Sequence, residues 1–133
     1  PFEDVAALRA FPELTIIEPT DEVMLEKLLH QLVDLKGMYY IRCARKAVVR
    51  LYDSQEEFEI GKGKELRKGT DVTIIASGIM TAESLKAADV LAEKGISARV
   101  VDMFTIKPLD KELVLKCAEE TGAVVTAENP SIV

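Results

Sequence analysis

The chain has 133 residues, enough for one ordinary domain or two small lobes with a sizeable core. Apolar residues make up 48%, which excludes a disordered chain, and a net charge of -6 argues against a nucleic-acid backbone as main partner while leaving room for a local cationic pocket. The apolar runs fall far short of a bilayer and the N-terminus lacks the basic and apolar regions of a signal peptide, so the expectation is a soluble cytoplasmic protein with no membrane partner.

Asp4 is placed to cap a short helix through Val5, Ala6, Ala7, Leu8 and Arg9, which Pro12 stops. Leu14 to Glu18 reads as the first strand. Thr20 then reads as a helix cap, with Asp21 and Glu22 in the positive first turn. Met24, Leu25, Leu28, Leu29, Leu32 and Leu35 form a wide apolar stripe, and Gly37 is the expected stop. Met38 to Cys43 returns as a strand and completes a first βαβ unit; Val48 to Glu57 carries a weaker strand and a polar turn. Residues 58–69 read as a linker forming a small hairpin or bulge. Its cluster of Lys62, Lys64, Arg67 and Lys68 reads as solvated, because GKGK lacks the strand before and helix after that a phosphate loop needs.

Asp71 to Asp102 is the clearest stretch. Val72, Ile74, Ile75 and Ala76 form an apolar run closed by Gly78, which suits a strand covered on both faces. A helix follows, with Thr81 as cap, Glu83 in the first turn, Leu85, Ala88, Leu91 and Ala92 as its buried stripe and Gly95 as its end. Ala98, Val100 and Val101 make a second buried strand, parallel to the first through a right-handed crossover. MFTIKPLD after Asp102 reads as an ordered connection. Asp110 caps a last helix whose buried stripe is Leu113, Val114, Cys117 and Ala118, Gly122 ends it, and Ala123 to Glu128 is a further strand. The fold class is therefore α/β, in two small lobes with parallel-rich sheets.

Ligands of open α/β sheets sit beyond the carboxyl ends of the strands, which selects Arg45, then Ser77 and Gly78, then Glu128, Asn129 and Ser131. A guanidinium such as Arg45 can grip phosphate in a two-pronged geometry, and its spacing suits a surface ion pair equally well. Arg42 competes, but lies within the expected strand. Ser77 and Gly78 precede a helix whose N–H groups could hold an anion, yet one glycine does not make the dinucleotide fingerprint. His30, one turn from Glu26, reads as a surface residue. Cys43 and Cys117 read as small buried hydrophobes. With one histidine, no nucleophile beside a base and no facing carboxylate pair, no catalytic, cofactor-binding or metal-ligating residue is assigned.

The motifs PFEDVAALRAFPELTIIEPTD, YYIRCARKAV, FEIGKGKELRKGTDVTIIASG, LAEKGISARVVDMFTIKPLDKELV and TGAVVTAENPSIV, taken in order, resemble the C-terminal half of transketolases, especially those made as two subunits. The resemblance implies that residues 1–50 end a pyrimidine-binding domain, 51–69 link, and 70–133 belong to a truncated C-terminal domain. It implies transfer of a two-carbon ketol unit between sugar phosphates, with thiamine diphosphate and a divalent metal such as magnesium in the full enzyme, neither bound wholly by this chain. The partners it implies are an N-terminal thiamine-binding half or subunit in a homodimer or heterotetramer. Arg45, in CARKAV, matches the family's SRQ or GRQ arginine, which binds the sugar phosphate. Pro1 would follow directly on the family's Thr-His-Gln motif, so the chain is expected to begin inside a longer polypeptide and to be inactive alone. Pro130 stands where the family often has histidine. Deoxyxylulose-phosphate synthases and ketoacid dehydrogenase beta subunits share much of the pattern, and a non-catalytic assembly or regulatory module of the same fold is the alternative from another class.

Overall fold

Apolar runs become strands and helix-spaced runs become helices in the computed structural model, which describes residues 3–45 and 47–129. A short helix α1 (Asp4–Leu8) leads into strand β1 (Leu14–Ile17), and helix α2 (Glu22–Val33) carries the chain to β2 (Met38–Ile41). β1 and β2 are parallel and in register from Leu14 opposite Met38 to Ile17 opposite Ile41, the first expected βαβ unit. Asp21, rather than Thr20, caps α2: its Oδ1 accepts the Met24 N–H at 2.9 Å, which satisfies a donor that the first turn leaves orphaned. Its other oxygen accepts the N–H groups of Leu51 and Tyr52, each at 2.8 Å. That tie holds residues 51 and 52 in place without the expected strand between Val48 and Glu57, which is irregular.

The second half builds strands β3 (Lys64–Arg67), β4 (Val72–Ala76), β5 (Ala98–Asp102), β6 (Thr105–Lys107) and β7 (Val124–Ala127), with helices α3 (Ile79–Glu93) and α4 (Lys111–Thr121). Four of these strands form a sheet in the order β3-β5-β4-β7, in which β4 runs parallel to β5 and β7 while β3 is antiparallel to β5. β5 lies between two neighbours and all five of its residues are buried, the charged Arg99 and Asp102 included. At Gly69 a Cβ would stand 2.2 Å from the Ala98 carbonyl carbon, so only glycine lets the chain enter β4 this close to β5. After α3, Gly95 (φ 79) and Ile96 donate to Ala92 and Leu91, a two-bond C-terminal cap.

Several expectations are corrected. Lys64–Arg67, inside the expected linker, is a strand of the second sheet. Thr105–Lys107, the expected connection, crosses back to pair antiparallel with β1, so the first sheet is β2-β1-β6 and mixed. Neither lobe therefore stands alone. One core cluster joins Ile17, Met24 and Leu28 of the first half to Tyr52 and Phe58 of the 51–69 segment and Phe104 of the second half. Phe58 meets Tyr52 and Phe104 edge-on, at centroid separations of 4.8 and 5.8 Å. Each such pair adds about 0.5–1.5 kcal/mol beyond burial.

Some local expectations also change. Thr81 is fully buried inside α3, and Gly78 (φ 53) takes the N-cap position with no side-chain cap. The first turn of α3 contains no acidic residue, and Glu83 pairs instead with Lys86. Asp4 begins α1 without capping it. The helix α2 ends at Val33, ahead of Gly37, and Leu29 and Leu35 of its stripe stay exposed. Cys43 is exposed while Cys117 is buried, and both are free thiols. Among the described residues no helix is long and apolar enough to cross a membrane.

Candidate functional site

Where the two sheets meet, the carboxyl ends of β1, β2, β4 and β7 open onto one groove of about 590 Å³. Its lining includes Glu18 and Pro19 after β1, residues 42–45 after β2, Gly78 and Ile79 at the start of α3, and Asn129 after β7. Parallel strands direct their following loops to one edge, and helix N-termini converge there, which is why a groove forms at this end.

Arg45 lies exposed on the lining of this groove and makes no ion pair with another described residue. β2 stops at Ile41, so Arg42 stands just past the strand rather than within it. Its guanidinium is held by two carboxylates: Nε donates to Asp4 Oδ2 at 3.1 Å and Nη1 to Glu18 Oε1 at 2.5 Å. All three side chains are largely buried, 14% exposed for Arg42, 7% for Asp4 and 6% for Glu18. The Tyr40 hydroxyl donates to Asp4 Oδ2 at 2.7 Å, and the Ser77 hydroxyl to Glu18 Oε2 at 2.6 Å. Burial opposes ionisation of Asp4, but the hydrogen bonds from Tyr40, the Val5 N–H and Arg42 outweigh it and hold its carboxyl below the usual range.

The remaining sequence candidates divide. Gly78 and Asn129 line the groove. Ser77 is buried and engaged with Glu18. Glu128 is exposed and not among the lining residues, and Ser131 and Pro130 lie outside the described residues, as does Pro1. His30 is exposed on α2. The basic cluster is not a solvated linker: Lys64 and Arg67 lie half-buried in β3, Lys64 over the Tyr52 and Phe58 rings, and carboxylates engage Lys62 (Glu112), Lys64 (Glu56) and Arg67 (Asp89).

Two acidic residues that matter were not selected from the sequence. Glu18 sits one residue past β1, at a carboxyl strand end; counting it as the last residue of the strand hid it from the rule that found Arg45. Asp102, at the end of β5, is fully buried where the two halves join. Its Oδ2 accepts from Thr20 Oγ1 at 2.6 Å and from the Tyr52 hydroxyl at 2.7 Å, while Oδ1 has no partner among the described residues. Burial pushes this carboxyl up to about 6, against the pull of the hydroxyls of Thr20, Tyr52 and Thr81, and the nearby Asp21 adds to the rise. Burial and the same Asp102 raise the Tyr52 phenol.

A groove at the carboxyl strand ends is where open α/β sheets place ligands. Residues 61–133 match the family described as Transketolase, C-terminal domain, and the chain belongs to that family. It is 47% identical over 131 residues to a Clostridium sp. (strain MSTE9) protein named 6-deoxy-6-sulfo-D-fructose transketolase subunit SqwH, with 98% of this chain and 41% of that protein covered. It is 45% identical over 129 residues to a subunit of an apulose-4-phosphate transketolase from Phocaeicola vulgatus, covering 96% of this chain and 41% of that one. A solved structure described as split gene transketolase, inactive beta4 tetramer, superposes with a TM-score of 0.96 at 42% identity, over 99% of this chain and 44% of that one. The chain thus spans about two fifths of the length of the relatives it matches.

Proposed function

We propose that this chain is the end of a pyrimidine-binding domain followed by a C-terminal domain in a transketolase-like transferase, one that moves a two-carbon ketol unit between sugars with anionic tails. In this reading residues 1–50 close the first domain and the second sheet, from β3 onward, opens the next. The observation that carries the reading is Arg45 on the wall of the groove at the carboxyl strand ends. A guanidinium there grips a phosphate or similar oxyanion at a distance from the reacting carbon, and that remote contact orients the sugar for attack. The names of the relatives, one for a sulfonated ketose and one for a phosphorylated one, support an anionic sugar as the substrate class.

In this reading the family's thiamine diphosphate and divalent metal are not bound wholly by this chain. Among the described residues no group of three His, Cys, Asp or Glu side chains could hold a metal ion, and the one orphaned carboxylate oxygen, on Asp102, is sealed from the groove. On the family resemblance the residues that would hold the cofactor and metal are not among those of this chain, and in a homodimer or heterotetramer this chain's share is to hold the substrate tail. Such an assembly works in a reducing compartment such as the cytoplasm, in keeping with the free thiols Cys43 and Cys117.

In the complete enzyme, Arg45→Ala is expected to raise KM for xylulose 5-phosphate about tenfold or more, the loss of a charge-assisted contact, with KM for unphosphorylated erythrulose changed less than twofold. Steady-state kinetics on both ketoses check it, and equal effects on the two would remove Arg45 from the role.

A further inference from the structure

We infer that Glu18 is a positioning residue for the groove: it pins the start of the loop that carries Arg45 to the strand-to-helix turn of the other sheet. The inference rests on the reading of Arg45 as the tail-binding guanidinium and adds what sets that side chain's place.

Glu18 uses both carboxylate oxygens, on opposite sides of the groove. Oε1 takes Arg42 Nη1, at the first residue past β2 and three residues before Arg45. Oε2 takes the Ser77 hydroxyl, at the first residue past β4. The next residue, Gly78, is shaped to receive it: a Cβ there would lie 2.9 Å from Glu18 Cγ and 3.0 Å from Cδ. Glu18 is itself anchored from the other side, its N–H donating to the Phe104 carbonyl at 2.8 Å, just ahead of β6. One side chain therefore connects a loop of the first sheet to a turn of the second, and it is 5% exposed, so solvent does not screen the bond. Asp4 supplies the second carboxylate to Arg42, which leaves Arg42 committed to structure and gives Arg45 the ligand-facing role.

The loop from Arg42 to Arg45 contains no helix or strand, so its path depends on how its first residue is held. Replacing Glu18 by alanine frees both Arg42 Nη1 and Ser77, and the Arg42 side chain is then held by Asp4 alone, while its N–H still donates to the Ile17 carbonyl at 2.8 Å. Loss of preorganisation weakens binding of the tail without touching the reacting end of the sugar.

The experiment compares Glu18→Ala, Glu18→Gln, Arg42→Lys and Arg45→Ala in the complete enzyme, with xylulose 5-phosphate and erythrulose as the two donors. Glu18→Ala is expected to raise KM for the phosphorylated ketose about fivefold, with kcat within twofold and with a smaller change for erythrulose. Glu18→Gln, which keeps the shape and one acceptor, recovers most of the loss. Arg42→Lys, which cannot serve two carboxylates with one fork, reproduces the alanine effect and serves as the test if Glu18→Ala does not fold. If Arg45→Ala discriminates between the ketoses while Glu18→Ala and Arg42→Lys do not, or if these two raise both KM values alike, the positioning role is wrong and the reading of Arg45 survives. If Arg45→Ala fails to discriminate, the reading of Arg45 falls and the positioning role with it.

Discussion

Glu18 and Asp102 are both acidic, both at most 5% exposed and both placed where the two sheets meet, yet their surroundings are opposite. Glu18 faces the groove and is matched by a guanidinium, so each of its oxygens has a strong partner. Asp102 is enclosed by the hydroxyls of Thr20, Tyr52 and Thr81, with no cation and one oxygen unpartnered among the described residues. At Asp102 the hydroxyls alone do not repay the loss of water, so burial pushes its carboxyl up. The ion-paired junction is suited to holding a loop in place, and the hydroxyl-lined one to closing the core.

Removing the cation from the first site breaks the comparison most directly. Arg42→Ala strands Asp4 and Glu18 in a site with little solvent, and the expected loss is about 3–5 kcal/mol of folding stability, read by urea unfolding of the full polypeptide. A loss under about 1 kcal/mol would mean that the pair is solvated after all.

The second junction is sharpened by pH. The Asp102 carboxyl rises from the usual 3.8 to about 6 in the folded chain, so the native state binds the extra proton between those values. Stability from this group is full below about pH 4 and falls by about 3 kcal/mol as pH rises through about 6. Asp102→Asn keeps an acceptor for Thr20 and Tyr52 and removes the titration, so the slope of unfolding free energy between pH 4 and 7 should flatten. An unchanged slope would assign the pH dependence to other groups.

The smallest effect tests the fit of Gly78 to Glu18. Gly78→Ala puts a side chain at φ 53 and against Glu18 Cγ, for a cost of about 1–2 kcal/mol. Thermal unfolding reads it, and the same variant should raise KM for the phosphorylated ketose modestly, since it disturbs the bond between Glu18 and Ser77.

Most elements were legible in the sequence because their signals are local. The periodicity of residues 72–101, the cap at Asp110 and the glycine stops at Gly95 and Gly122 all depend on neighbours within a turn or a strand. Arg45 was within reach for the same reason, as it follows an apolar run. Asp21 was visible as an acidic residue in a first turn, while the local pattern reads Thr20 as the cap. The choice went to Asp21 because Thr20 turns its hydroxyl to Asp102, 82 residues away.

The amino-acid order alone determined the α/β class, the two βαβ units and three positions of the groove lining, Arg45, Gly78 and Asn129, since side-chain period and turn chemistry act over a few residues. Tertiary structure decided that the lobes share a core, that β6 leaves the second half to join β1, and that Glu18 meets both Arg42 and Ser77. Glu18 and Arg42 are 24 positions apart and Glu18 and Ser77 are 59 apart, and such partners are chosen by shape and solvent exclusion in the packed chain, which no local pattern encodes.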